Sequence, residues 1–179
     1  IRGNKTNKEL SLIDFEDIVS LEEFADHDIV ITGGEPTLCK DFVSIVSYLK
    51  DKCKSISVCT NGTTDFYINK EFLDSRIKIQ ISIDRTEDIH DSIRGRNSFK
   101  RILSTVSKLE ALDIPYTISS VVNKSNAICM KDLADILGNF KHMKYWNISY
   151  EMPFGHADIK ELMPTEDWNA FVDNMLDYV

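Results

Sequence analysis

The sequence predicts an α/β fold: a parallel sheet, either open or part of a barrel, with helices on its connections. Three observations carry this. Short apolar runs rich in β-branched residues alternate with segments of helical apolar spacing along the whole chain. The segments joining successive runs are long enough to be crossovers between parallel strands. Each run ends on polar residues or on Gly and Pro, so together the ends form a polar rim over an apolar sheet, the geometry of a ligand pocket.

The elements follow in order. Residues 14–25 have helical apolar spacing, with Asp14 as cap. Residues 28–32 form the first strand, whose Ile29-Val30-Ile31 core reads as fully buried. It stops at Gly33-Gly34-Glu35-Pro36. The two glycines allow a tight turn and close approach of a ligand, and Pro36 ends ladder pairing and can open a helix. Residues 40–52 carry the helical stripe Phe42, Val43, Ile45, Val46, Leu49. Residues 56–60 form the second strand, ending at Thr60-Asn61-Gly62. A hairpin through Asn61-Gly62 is the rival reading there. Its second arm is weak, because Asp65 interrupts it and residues 69–73 look helical, so a strand ending in a loop is preferred.

Ile77, Ile79, Ile81 and Ile83 mark the third strand, which ends at Ser82-Ile83-Asp84. Residues 98–112 read as a long helix ending near Pro115, residues 116–122 as the fourth strand, and residues 128–140 as a helix. Residues 145–151 form the fifth strand, and a last helix starts near Thr165 with Glu166 and Asp167 in its first turn. The strands are β-branched and do not alternate cleanly, which predicts helices on both faces. Right-handed crossovers follow. About five strands are too few for a closed eight-stranded barrel.

Composition narrows the function classes. The formal net charge of −8 at pH 7 argues against nucleic acid or an anionic membrane surface as partner. No apolar stretch approaches the roughly 20 residues of a membrane span, and no signal-peptide pattern is visible. The four cysteines, Cys39, Cys53, Cys59 and Cys129, form no CxxC pair and match no zinc or iron–sulfur spacing. Cys59, inside an apolar run, reads as a buried reduced thiol. The compartment expected is a reducing cytoplasm.

The ordered motifs place these readings in a family. Gly33-Gly34-Glu35-Pro36, Thr60-Asn61-Gly62, Ile81-Ser82-Ile83-Asp84, His90-Asp91 with Arg94-Gly95 and Ser98-Phe99, and Met152-Pro153-Phe154-Gly155-His156-Ala157 occur in that order. In this the chain resembles the radical S-adenosylmethionine (SAM) superfamily, most closely the subgroup that modifies peptides or proteins, whose members often carry extra iron–sulfur clusters in a C-terminal extension. The resemblance implies a partial, six-stranded (β/α) TIM-like barrel with SAM across the C-terminal ends of its strands. It implies that Gly33, Gly34, Glu35 and Pro36 receive the methionine ammonium, with Thr60 and Asn61 in the same rim. Ser82 and Asp84 would lie near the ribose or carboxylate, Arg94 would hold the carboxylate, Val121, Val122 and Met152 would flank the adenine, and Asn123 would add a polar contact. It implies a peptide, protein or small-molecule substrate and an electron donor such as flavodoxin or ferredoxin.

One departure is decisive. The superfamily's reaction needs a [4Fe–4S] cluster on a Cys-x3-Cys-x2-Cys loop that precedes the GGEP segment. Here 32 residues precede Gly33 and none is a cysteine. The expectation is that the chain, which begins at Ile1, holds strands two to six, with the cluster loop, first strand and C-terminal extension lying outside it. Alone it would not catalyse the family's reductive cleavage of SAM to a 5′-deoxyadenosyl radical, and no metal ligand is assigned within it.

Other readings stay open. Asp84, Arg85, Glu87, Asp88, Asp91 and Arg94 also suit a solvated salt-bridge loop. Within the family, the parent could be a cofactor-biosynthesis enzyme or a glycyl-radical activase. Outside it, the chain could be a non-catalytic, cluster-less binding domain. A phosphate-binding α/β enzyme ranks lowest, for want of a Gly-rich phosphate loop.

Overall fold

The computed structural model describes residues 11–19, 24–66, 72, 74–87, 97–154 and 157–178. Ten elements run in chain order: α1 (Leu12–Val19), β1 (Asp28–Ile31), α2 (Phe42–Lys50), β2 (Ser55–Thr60), β3 (Ile77–Ser82), α3 (Ser98–Ala111), β4 (Tyr116–Val122), α4 (Met130–Leu137), β5 (Met143–Tyr150) and α5 (Thr165–Leu176). Short 3-10 turns at Pro36–Leu38, Ala127–Cys129 and Ile159–Glu161 join them.

The five strands make one sheet in the order β1-β2-β3-β4-β5, every pair parallel. A consecutive order without reversal, joined by right-handed crossovers, puts every connecting helix on the same face. This is one sector of a (β/α) barrel. It also corrects the expectation of helices on both faces. Ile56, Val58, Ile77, Ile79, Ile81, Tyr116 and Ile118 are all buried on the helix side. Their neighbours Ser57, Cys59, Gln80, Thr117 and Ser119 are only half-buried, and Lys78 is exposed, on the other face. The strands do alternate. Thr fits a pleated strand as well as Ile and Val do and Ser does not interrupt one, which hides the alternation when residues are read by β-propensity alone.

The first strand is likewise not fully buried. Among the described residues β1 is a sheet edge, paired only with β2, and Val30 is 59% exposed. The Asn61-Gly62 hairpin is excluded, since β2 pairs in parallel with both β1 and β3.

Helical stripes supply the outer half of the core. Phe42, Ile45, Val46 and Leu49 of α2 recur at i, i+3, i+4, i+7 and are buried against the sheet. Phe99, Ile102, Val106 and Leu109 of α3 and Met130, Leu133 and Leu137 of α4 do the same. The cap of α1 is Ser11, not Asp14. The Asp14 carboxylate accepts from the Ser11 backbone N–H at 2.8 Å and the Asp14 N–H reaches Ser11 Oγ at 3.4 Å, a reciprocal capping box. At the N-terminal ends of the strands Glu110 accepts from Tyr116 Oη, Lys141 N and His142 N. Burial raises the Glu110 carboxyl, but these bonds outweigh it and hold the group below its ordinary value. Predicted residues 69–71, 73, 88–96 and 155–156 lie outside the described part, so the helical reading of 69–73, His90, Asp91, Arg94, Gly95, Gly155 and His156 are not located. Among the described residues no helix is long and apolar enough to cross a membrane.

Candidate functional site

Because the strands are parallel, their C-terminal ends converge on one side. Gly33 lies two residues beyond the end of β1, and its φ of 149° is a conformation that side-chain-bearing residues rarely adopt. A Cβ built on Gly33 or on Gly34 meets nothing within 4 Å. The glycines are therefore not required by packing, and space lies open in front of both.

Glu35 follows, and the structure gives it a larger part than its position beside the glycines suggests. Its Oε1 accepts from Thr37 N at 3.2 Å, from Thr37 Oγ1 at 2.5 Å and from Thr60 Oγ1 at 2.6 Å, and its Oε2 accepts from Asn61 N at 2.7 Å. The carboxylate thus caps the Pro36–Leu38 turn and ties the end of β1 to the end of β2. Thr60 is 2% exposed and its Oγ1 also accepts from Gly62 N, so this stitch lies beneath the rim. Asn61 Oδ1 accepts from Thr63 N and Thr63 Oγ1, an Asx turn that ends the strand. Gly62, at φ 69°, leaves a place where a Cβ would sit 2.9 Å from Ile81 Cγ2.

The ends of β3, β4 and β5 are stitched in the same manner. Asp84 Oδ1 accepts from Val121 N at 2.9 Å. Asn126, 1% exposed, donates to the Asp84 and Val121 carbonyls, and its Oδ1 accepts from Asn123 N. Asn123 Oδ1 accepts from Ser125 N, Ser125 Oγ and Asn126 N, and its Nδ2 donates to Glu151 Oε2 at 2.8 Å. Asn123 thus holds a turn and a neighbouring strand.

Eleven of the twelve sequence-predicted site residues fall on this rim: Gly33, Gly34, Glu35, Pro36, Thr60, Asn61, Ser82, Asp84, Val121, Asn123 and Met152. Arg94 lies outside the described residues. Ser82 is half-buried at the end of β3 on the helix-free face. Val121 and Met152 are 42% and 60% exposed, whereas Val122, expected beside them, is fully buried on the helix side because successive strand residues point to opposite faces. Asn126 was not anticipated; its signal is the Asn-x-x-Asn spacing with Asn123. Gln80, Ser119 and Asn147, on the helix-free face, were also missed, and stepping back by two from Ser82 and across the sheet would have found the first two.

Two cavities among the described residues bear on the site. One of about 590 Å³ lies between β5, α4 and α5, lined by Leu137, Trp146, Trp168, Phe171 and Met175. It sits on the helix side away from the rim, and Asn147 of β5 is its one lining residue with a polar amide side chain, so it offers no converging polar groups. The other, about 420 Å³, lies between the end of β1, α1 and α2, bounded by Phe15, Ile31, Gly33, Gly34, Phe42 and Ile45, so the glycine pair borders accessible volume shared with these helices.

Residues 2–137 match the model of the radical SAM superfamily. This chain belongs to the radical SAM superfamily. Among relatives, the sporulation killing factor maturation protein SkfB of Bacillus subtilis (strain 168) is 32% identical over 128 residues, 68% of this chain and 31% of that protein. Mycofactocin maturase MftC of Mycobacterium tuberculosis (strain CDC 1551 / Oshkosh) is 28% identical over 143 residues, 77% of this chain and 37% of that protein. The chain therefore spans about a third of the length of these curated relatives. Crystal structures of Streptococcus suis SuiB share the fold. The one bound to precursor peptide SuiA gives a TM-score of 0.79 at 16% identity, covering 99% of this chain and 41% of that one. The one bound to S-adenosylmethionine gives 0.76 at 18%, covering 96% and 42%.

Both cofactors of the superfamily can be set against the residues present. A methionine ammonium needs acceptors and room, and the strand-end carbonyls beside two glycines open to space supply them. The radical SAM cluster is different. It needs three converging thiolates, and the described residues contain no group of three His, Cys, Asp or Glu able to hold a metal. All four cysteines are free thiols dispersed over the fold. Cys59 is half-buried on the helix-free face, not buried in the core, and burial pushes its thiol up, away from the thiolate a metal would need. These residues fit SAM and do not fit the cluster.

Proposed function

We propose that this chain is the SAM-binding core of a radical SAM enzyme that modifies a peptide or protein. The observation that carries the reading is the Gly33–Gly34 pair: open space before both glycines, on a strand end held in place by Glu35 through Thr60 and Asn61. The peptide-maturing relatives and the peptide-bound structural neighbour support the substrate class.

In this reading the chain binds and orients. Gly33 and Gly34 present backbone carbonyls to the ammonium, Ser82 and Asp84 face the ribose or carboxylate with Arg94, and Val121 and Met152 border the adenine. Asn123 and Glu35 act one layer back, fixing the loops. When bound, SAM supplies a 5′-deoxyadenosyl group as the precursor of a hydrogen-abstracting radical. The [4Fe–4S] ligands belong to residues outside this chain, and so do the docking of a flavodoxin- or ferredoxin-type donor and any auxiliary cluster. Within the superfamily the runner-up is a small-molecule enzyme of cofactor biosynthesis or a glycyl-radical activase.

The test is made on the whole protein that contains this chain, anaerobically reconstituted, with SAM and dithionite. Formation of 5′-deoxyadenosine is expected; its absence in cluster-loaded protein would leave a non-catalytic binding domain.

A further inference from the structure

Below the rim, the helix-free face carries polar groups that the protein leaves unused. Among the described residues, the hydroxyls of Ser57, Ser82 and Ser119, the Asn147 carboxamide and the Gln80 carboxamide oxygen make no side-chain hydrogen bond. Gln80 Nε2 alone is engaged, with Cys59 Sγ at 3.5 Å. Register places them together: Cys59 pairs with Gln80, Ser82 with Ser119, and Ser119 with Asn147. The rim is the opposite case, since Glu35, Thr60, Asn123 and Asn126 are each bonded within the protein.

Charge and apolar surface are sparse on the same face. Among the described strand residues its cations are Lys78, four residues before Ser82 and thus about 13 Å lower along the strand, and Lys144, at the β5 bulge three residues before Asn147. Its exposed apolar or aromatic side chains are Val30 on the edge strand, Val121 at the rim and Tyr145 on β5, two residues before Asn147. An aliphatic or aromatic group seated on Gln80 and Ser119 would strip water from donors and acceptors without replacing it, at about 1–3 kcal/mol for each group left unpaired. Among the described residues, a phosphate on Gln80 and Ser119 would find no guanidinium or ammonium among their register partners, which are Cys59, Thr117, Ser82 and Asn147.

We infer that the substrate group received by this face is an uncharged hydrogen-bonding one, the side chain of Ser, Thr, Asn or Gln within a peptide, held by Gln80, Ser119 and Asn147. The inference rests on the reading of the strand ends as the SAM site of a peptide-modifying enzyme. Gln80 and Ser119 act as specificity-determining residues.

The test uses the whole protein with SAM bound. The probes are the N-acetyl amides of asparagine, threonine, leucine and phosphoserine, each titrated by saturation-transfer NMR. The asparagine and threonine amides should bind at least about tenfold more tightly than the other two, the equivalent of one or two satisfied hydrogen bonds. The double variant Gln80→Leu/Ser119→Ala should lose about that factor for asparagine and threonine and gain affinity for leucine. Thermal melting shows whether the variant folds, and the wild-type ranking does not depend on it. Leucine or phosphoserine amide binding as well as or better than the polar pair, or no binding of the polar pair, overturns the inference. SAM affinity measured in the same samples separates the two readings. If SAM binds and the ranking is wrong, the inference alone falls; if SAM does not bind, the proposed function falls with it.

Discussion

Glu35 Oε2 lies 2.7 Å from the backbone nitrogen of Asn61, 26 residues further along the chain, while Oε1 takes the Thr60 hydroxyl at 2.6 Å. One carboxylate therefore fixes the spacing of two adjacent strand ends. A carboxylate accepts only, and the donors present to both of its oxygens.

Glu35→Gln should accordingly be destabilising although nearly isosteric. Its amide nitrogen cannot accept, so either the Asn61 N–H or the Thr37 and Thr60 donors lose their partner. The expected loss is about 1–3 kcal/mol in urea unfolding. A loss under about 0.5 kcal/mol would mean that the stitch is solvent-compensated.

Gly62→Ala should also be costly, for a different reason. Its φ of 69° disfavours a side chain, and the new Cβ would lie 2.9 Å from Ile81 Cγ2 in the core. About 2–3 kcal/mol is expected from backbone strain and overpacking together. Unchanged thermal stability would contradict the description of this turn.

Asp74 predicts an acid limb to stability. Hydrogen bonds from Arg76 hold its carboxyl down from 3.8 to about 2. The unfolded chain thus binds the proton more readily, and stability rises with pH across that window. The contribution is complete above about pH 4 and is lost as pH falls through about 2. Asp74→Asn should lose about 1 kcal/mol at pH 7, after allowance for solvent screening, and match wild type near pH 2. A difference independent of pH would place the effect elsewhere.

Incubating this chain with iron and sulfide should yield no stoichiometric [4Fe–4S] absorbance, since its four thiols are dispersed. One cluster per chain would contradict the assignment of its ligands to residues outside this segment.

Much of the fold was legible because its signals are local. The Ile77–Ile83 alternation, the α2 stripe and the Gly33-Gly34 break each declare themselves within one element. The one-sided helix layer was not, because Thr117 suits a strand as well as β-branched apolar residues do, Ser57 and Ser119 do not break one, and only their polarity marks the face. At the site, the rim residues were legible from their positions at strand ends. Their bonding was not: Glu35 meets Thr60 and Asn61, and Asn123 meets Glu151, across separations of 25 to 28 residues that no local pattern encodes. Ser11 as the α1 cap was missed because Asp14 is its bonded partner three residues on.

The central claim is that the space before the glycine pair receives SAM, and Gly34→Val in the whole protein tests it most directly. Gly34 has no left-handed φ and a Cβ there meets nothing within 4 Å, so the variant should melt like wild type. Calorimetric titration should then show SAM binding weakened by about tenfold or more, since the new side chain fills the ligand's volume. A folded Gly34→Val protein that binds SAM as wild type does would contradict the account.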